Sequence, residues 1–309
     1  MNTVSDRLTD IRRRLAAACA RAGRMPADIR LIAVSKTFDA DAVAEVAELG
    51  QLEFGESYMR EALDKIGLAE AIAGQRLVWH FIGPIQGNKC RALAGAFAWA
   101  HGVDRLKIAE RLSELRASDL PPLDVCVQVN VSGEASKGGV APDEAAALCE
   151  AIAKLPRLRL RGLMCIPAPA DDPEDSRASF RLLRELRDAI RASGALDADA
   201  FDQLSMGMSD DFEVAIDDID GTVHRAFGTR PSSAYLVDVD GTVTFLHRGG
   251  QGVVRAQLNV RRPDRARSDD GHPLNSFLRA RSGPGDAGPR GRTVGLASCT
   301  RGTLRGGVG

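Results

Sequence analysis

Hydrophobic positions in this chain switch repeatedly between helical and extended spacing. Leu8, Ile11, Leu15 and Ala18 share one helical face after Ser5, a candidate N-cap. Leu31-Ile32-Ala33-Val34-Ser35-Lys36 is a short apolar run, and Asp39 then offers a cap for a helix carrying Val43, Val46 and Leu49, stopped by Gly50. Leu52-Glu53-Phe54 reads as the next strand, with a helix over 57–72 behind it. Residues 78–83 are extended again, Pro84 opens a helix, and Phe97-Ala98-Trp99-Ala100 makes a further strand. Asp104 is placed to cap a helix with Ile108, Leu112 and Leu115 on one side. Strand 123–130, a helix aligning Leu148, Ile152 and Leu155, and strand 158–165 continue the series. A helix with Leu183, Leu186 and Ile190 leads to Gln203-Leu204-Ser205.

Seven such alternations within about 210 residues predict a parallel α/β sheet, and an eighth strand would close a (β/α)8 TIM-type barrel. A doubly wound open sheet is the alternative, but no Gly-rich turn with dinucleotide spacing follows the first strand. From about residue 248 periodicity fades into Arg, Gly, Pro and Ser, a composition that buries too little apolar surface to offset chain entropy. The expected organisation is a barrel over 1–230 and a mostly disordered Arg/Gly-rich tail over 231–309.

Charge supports the division. The net charge is −1, yet residues 231–309 hold 12 Arg, 6 acids and no Lys. A balance near neutrality gives no global attraction to nucleic acid or an anionic membrane. No apolar stretch reaches the ~20 residues needed to span a bilayer, and the N-terminus begins an amphipathic helix instead of a secretory signal. Six cysteines, Cys19, Cys90, Cys126, Cys149, Cys165 and Cys299, lack paired or metal-ligand spacing. The expectation is a reduced, cytoplasmic protein that binds neither nucleic acid nor membrane, as a monomer or weak dimer.

Candidate chemistry lies at strand ends. Lys36 closes the first apolar run, so its amine projects at the mouth of the barrel, where partial loss of solvation favours the neutral, nucleophilic form. The competing reading is a solvated lysine at a strand end. Ser205-Met206-Gly207-Met208-Ser209-Asp210 follows the seventh strand, the region where barrels commonly bind phosphate. Gly207 lets backbone N–H groups converge, Ser205 and Ser209 add hydroxyls, and the next helix would aim its positive end there. An ordinary turn with Ser209 as N-cap is the alternative. An amine and a phosphate cradle across one mouth suit pyridoxal 5′-phosphate (PLP), which has an aldehyde for Lys36 and a phosphate for the turn. His80 reads either as a packed strand residue or as an acid/base group, with no partner carboxylate nearby in sequence.

Six motifs appear in order: Ala33-Val34-Ser35-Lys36, Phe54-Gly55-Glu56, residues 79–89 from Trp79 to Lys89, residues 130–137 from Asn130 to Lys137, Arg161-Gly162-Leu163-Met164, and Leu204 through Ser209. Together they resemble the pyridoxal phosphate homeostasis proteins, whose fold is similar to the N-terminal barrel of alanine racemase. The resemblance covers about residues 5–216. It implies a PLP carrier or buffer rather than a strong catalyst, with a Schiff base on Lys36, phosphate contacts from Ser205 and Gly207, Lys137 close by, and apo PLP-dependent enzymes as recipients. Ser57, where the family usually carries Asn, and His80 are further cofactor-binding candidates. In place of the family's eighth-strand signature, residues 217–230 read Asp-Asp-Ile-Asp-Gly-Thr-Val-His-Arg-Ala-Phe-Gly-Thr-Arg. There Arg225 stands for the arginine that faces the pyridine nitrogen, with Gly228-Thr229 one residue out of register. A reading-frame change or fusion near residue 217 would account for this and for the long tail.

A PLP-dependent racemase of unknown substrate is the alternative. Racemisation needs a second base opposite the lysine, and only Tyr58 and Tyr235 are present. A phosphatase is a third class, since Asp218–Thr222 and Asp238–Thr242 both read Asp-x-Asp-Gly-Thr. The chain after Thr242 is too short and too biased in composition for the rest of that fold, and a β-hairpin around Asp240-Gly241 is the simpler reading.

Overall fold

The structure, a computed structural model, describes residues 3–134, 138–168 and 171–217, together with the backbone of 233–238. Helix α1 (Val4–Arg21) leads into β1 (Ile29–Val34) and α2 (Ala40–Glu48). Then come β2 (Glu53–Glu56), α3 (Met59–Ala73), β3 (Val78–Phe81), α4 (Cys90–Ala96), β4 (Trp99–Val103) and α5 (Leu106–Leu115). The series ends with β5 (Leu123–Gln128), α6 (Ala145–Ala153), β6 (Leu158–Met164), α7 (Arg177–Ala192), β7 (Gln203–Ser205), α8 (Phe212–Asp217) and β8 (Ser233–Asp238). Every strand pairs in parallel with its chain neighbour, and β8 closes the ring by pairing with β1 from Ile29↔Ser233 to Val34↔Asp238.

Local capping signals explain the starts of α1 and α2. Thr3 Oγ1 accepts from Asp6 N–H at 3.1 Å, and Asp6 Oδ2 accepts from Thr3 N–H at 2.8 Å. This reciprocal box caps α1 two residues before Ser5, because it satisfies two orphan donors where Ser5 would satisfy one. Asp39 caps α2 through Ala42 N–H at 2.9 Å. Asp104 caps nothing: its carboxylate pairs with Arg105 at 2.6 Å instead.

The closing strand lies beyond 217–230, in the segment assigned from sequence to the tail. Strands of a parallel barrel are covered on both faces and want apolar runs. Ala234-Tyr235-Leu236-Val237 is such a run, whereas three of the four residues at 217–220 are Asp. Asp238, the first residue of the second Asp-x-Asp-Gly-Thr match, is the last residue of this strand. The remainder of 218–309, including the rest of the tail, lies outside the described residues.

Strand alternation sorts side chains between two apolar layers. Outward residues such as Ala33, Phe54, Val125, Val127 and Leu204 meet helix residues such as Val43, Leu93, Leu112, Ile152 and Leu183 in one continuous core. Ile32, Val34 and Ile82 form one inner cluster, and Trp99, Cys126 and Met164 another. Lys36 shares the parity of Ile32 and Val34, so it continues the inner row past the end of β1. The five described cysteines are buried free thiols, and burial pushes Cys126, Cys149 and Cys165 up, which leaves them inert. Among the described residues, no helix is long and apolar enough to cross a membrane.

Close packing of β6 on β7 depends on Gly162, where an added Cβ would collide with the backbone carbonyl of Gln203. Gly162→Ala is expected to cost at least about 1–3 kcal/mol, the usual penalty for overpacking a rigid site, because backbone cannot rotate away. A urea midpoint equal to that of the unsubstituted protein would contradict it.

Candidate functional site

Two buried lysines stand at the C-terminal end of β1 and beside it, and their surroundings differ. Lys65 of α3 is 5% exposed, and its Nζ donates to Ser35 O at 2.6 Å, Glu56 Oε1 at 2.8 Å and Glu61 Oε1 at 2.8 Å. Three acceptors use its three protons. Lys36 is 6% exposed, yet among the described residues its Nζ has no hydrogen bond or ion pair. Of the two, only Lys65 is saturated with acceptors.

The Lys65 network holds the backbone that carries Lys36. Ser35 N–H donates to Gly55 O at 3.0 Å, and Ser35 Oγ donates to Glu56 Oε1 at 2.6 Å. Thr37 N–H donates to Glu61 Oε1 at 2.5 Å, which stabilises Thr37 in the left-handed region at φ +70°, unusual for a β-branched residue. Both neighbours of Lys36 are thus fixed by polar contacts, buried at Ser35 and exposed at Thr37. Burial pushes the Glu56 carboxyl up, while hydrogen bonds from Lys65 and Ser35 pull it down.

At the adjoining strand ends the backbone comes close. A Cβ on Gly83 would lie 2.8 Å from Ser57 O, and one on Gly102 would lie 2.8 Å from Gly83 O. Ser57 Oγ is buried there with no partner among the described residues. Across the barrel, Gly207 follows β7 at φ +87°, a conformation that glycine adopts at little cost. Among the described residues its N–H meets no acceptor. Asp211 pins the rest of this turn, accepting from Met208 N–H at 2.6 Å and from Ser176 Oγ at 3.0 Å. Helix α8 has six residues and begins five residues past Gly207.

Beneath the mouth runs a chain of polar contacts through the barrel interior. Glu53 Oε2 lies 3.0 Å from His80 Nε2, His80 Nδ1 lies 3.0 Å from His101 Nε2, and His101 Nδ1 lies 2.7 Å from Ser205 Oγ. Both rings are fully buried and associate with Trp99, stacked in the case of His80. Burial holds both imidazoles well below the usual histidine range, with Arg30 adding to the effect at each and His80 at His101, so both are neutral at pH 7. Burial pushes the Glu53 carboxyl up, and Arg30, 3.3 Å from its other oxygen, opposes this.

The structure places Lys36, Ser57, Ser205 and Gly207 at C-terminal strand ends, and sets His80 one layer below, in mid-strand. Lys137 and Arg225 lie outside the described residues. Sequence reasoning missed Glu53, His101 and Lys65. His101 was findable, since it has the inward parity of Trp99 on β4. Glu53 lies 27 residues before His80, and only strand pairing makes it a partner.

Comparisons with known proteins agree with this geometry. The sequence profile of the alanine racemase N-terminal domain matches residues 7–225. The pyridoxal phosphate homeostasis protein of Pseudomonas aeruginosa is 52% identical over 217 residues, 70% of this chain and 90% of that protein. That of Escherichia coli is 47% identical over 217 residues, 70% and 91% respectively. Among solved structures, PipY of Synechococcus elongatus with PLP bound superposes with a TM-score of 0.63 at 26% identity, over 78% of this chain and 100% of that one. A Bifidobacterium adolescentis protein of unknown function reaches 0.67 at 30% identity, over 77% and 94%. This chain belongs to the pyridoxal phosphate homeostasis protein family, on the barrel of the alanine racemase N-terminal domain.

Proposed function

We propose that this protein binds pyridoxal 5′-phosphate covalently through Lys36 and holds or supplies it within the cell, without a strong reaction of its own. The observation that carries the reading is the contrast between the saturated Lys65 and the unpartnered, nearly buried Lys36. The donors left over at the mouth fit the same ligand: Ser57 Oγ and the Gly207 N–H are polar groups without partners among the described residues, and such groups suit a phosphate. PLP supplies an aldehyde that condenses reversibly with a primary amine, releasing water. Lys36 presents the amine, Ser205 and Gly207 grip the phosphate, Ser57 orients the ligand, and the Glu56–Lys65 network keeps Lys36 in place. Lys137 and Arg225 are proposed as further contacts, and apo PLP-dependent enzymes as recipients.

A carrier needs no second base. Tyr58 is 48% exposed at the start of α3, unsuited to working on a ligand held at the barrel mouth. The expected result is a visible absorption band on adding PLP, borohydride trapping at Lys36 and not at Lys65, and transfer of cofactor to an apo-enzyme. Lys36→Ala should stay colourless and unlabelled. A label elsewhere would overturn the assignment, and sustained amino-acid turnover that vanishes in Lys36→Ala would replace the carrier with an enzyme.

A further inference from the structure

The interior chain from Glu53 to Ser205 has a property that a phosphate site alone does not need. A neutral imidazole has one donor and one acceptor nitrogen, so two in series must point the same way. With Glu53 ionised, His80 Nε2–H donates to Glu53, His101 Nε2–H donates to His80 Nδ1, and Ser205 O–H donates to His101 Nδ1. Ser205 then turns only lone pairs toward the mouth, and these repel an anion. With Glu53 protonated every bond reverses: Glu53 O–H donates to His80 Nε2, His80 Nδ1–H to His101 Nε2, and His101 Nδ1–H to Ser205 Oγ. The Ser205 proton is then free to donate to a phosphate oxygen.

We propose that the Glu53–His80–His101–Ser205 chain couples anion binding at the barrel mouth to the uptake of one proton by Glu53. The proposal rests on Ser205 serving the phosphate, and so on the reading above. The protons balance. Ser205 passes its proton to His101 Nδ1, the His101 Nε2 proton moves to His80 Nδ1, and the His80 Nε2 proton moves to Glu53 Oε2. Ser205 Oγ is reprotonated by a proton drawn from solution, since the phosphate dianion has none to give. The net change is one proton from solution and one carboxylate converted to a carboxylic acid.

The charged surroundings permit this switch. Arg30 of β1 is the ion-pair partner of Glu53 at 3.3 Å and also lies over Trp99. From the far side, Arg161 of β6 reaches Trp99, and it shares Asp124 of β5 with Arg159, so that acid is already neutralised. Protonating Glu53 leaves Arg30 against the Trp99 ring, not bare. Lys36 is the basic side chain at the mouth, on the phosphate side of the chain.

The test uses pyridoxine 5′-phosphate, which has the phosphate but no aldehyde, so that chemistry at Lys36 does not enter. Titration calorimetry in buffers of different ionisation heat counts protons between about pH 7 and pH 8.5, where a phosphate monoester with second pKa near ~6 is a dianion. The expected uptake is close to one proton per site, with affinity falling about tenfold per pH unit by linkage. Nitrogen-15 spectra of the histidine rings should show both tautomers change from Nε2–H to Nδ1–H on saturation. Glu53→Gln should bind with no pH dependence over this range. The spectra on the unsubstituted protein decide the matter if that variant does not fold. Binding without proton uptake, or with unchanged tautomers, overturns the relay and leaves PLP capture at Lys36 standing. Failure of borohydride to label Lys36 overturns capture but not a proton count. Inorganic phosphate is the second probe, and failure of both probes to bind overturns the relay.

Discussion

Lys65→Met is expected to lower the free energy of unfolding by about 3–5 kcal/mol, the usual cost of removing one partner from a buried ion pair. The Glu56 side chain is fully buried and Lys65 is 4% exposed, so no water replaces the lost contact. Three acceptors lose a charged donor at once, the Ser35 carbonyl, Glu56 Oε1 and Glu61 Oε1, and among the described residues the two carboxylates keep only Ser35 Oγ and Thr37 N–H respectively. Among the described residues Glu56 Oε2 already lacks a partner, so the Ser35 hydroxyl is the one donor left to this carboxyl. Function should follow stability, because Ser35 and Thr37 flank Lys36 and lose their anchor. Borohydride labelling at Lys36 should drop even at temperatures where the variant stays folded. Glu56→Leu combined with Lys65→Met should recover part of the loss, since a well-packed apolar pair avoids stranding a charge. Urea unfolding of the three proteins tests this, and a single variant with an unchanged midpoint would show the network to be dispensable.

Acidification should unfold this protein steeply. The folded-state values of His80 and His101 lie well below 6.5, whereas an unfolded histidine titrates near that value. Below about pH 6.5 the unfolded chain therefore binds two protons that the native chain refuses, and stability declines as pH falls. Each excess proton contributes about 1.4 kcal/mol per pH unit, so the pair contributes about 2.7. Glu53, Glu56 and Asp211 have raised values and act in the opposite sense, taking up protons in the native state first as carboxylates begin to titrate. The histidine slope is thus cleanest just under pH 6.5. Urea series from about pH 7.5 to pH 5.5 should show it, and replacing either histidine with glutamine should roughly halve it. A flat profile would mean that the rings are not held neutral in the native state.

Particular residues show how far sequence alone carried the interpretation. Lys36 was legible because a short apolar run ending in a lysine needs no partner to be recognised, and strand parity with Ile32 and Val34 places it inside. Gly207 was legible as a turn, and its positive φ agrees. Asp211 was not legible as the anchor of this turn, because its carboxylate takes Met208 N–H and Ser176 Oγ together, and Ser176 lies 35 residues away. The closing strand was sought in 217–230 by resemblance to a motif, when apolar content pointed to 234–237.

What the sequence by itself determined is therefore local: the alternation of elements, the parallel barrel that follows from it, and the strand end that bears Lys36. Periodicity and capping act over a few residues, and a reader of the chain has all of those residues in view. Only the tertiary structure decided which lysine is saturated by acceptors, which carboxylate meets His80, and that Ser205 ends a chain of four side chains. Those facts depend on barrel closure, which sets residues 21 to 104 positions apart within hydrogen-bond distance, and on burial, which turns such contacts from optional into obligatory.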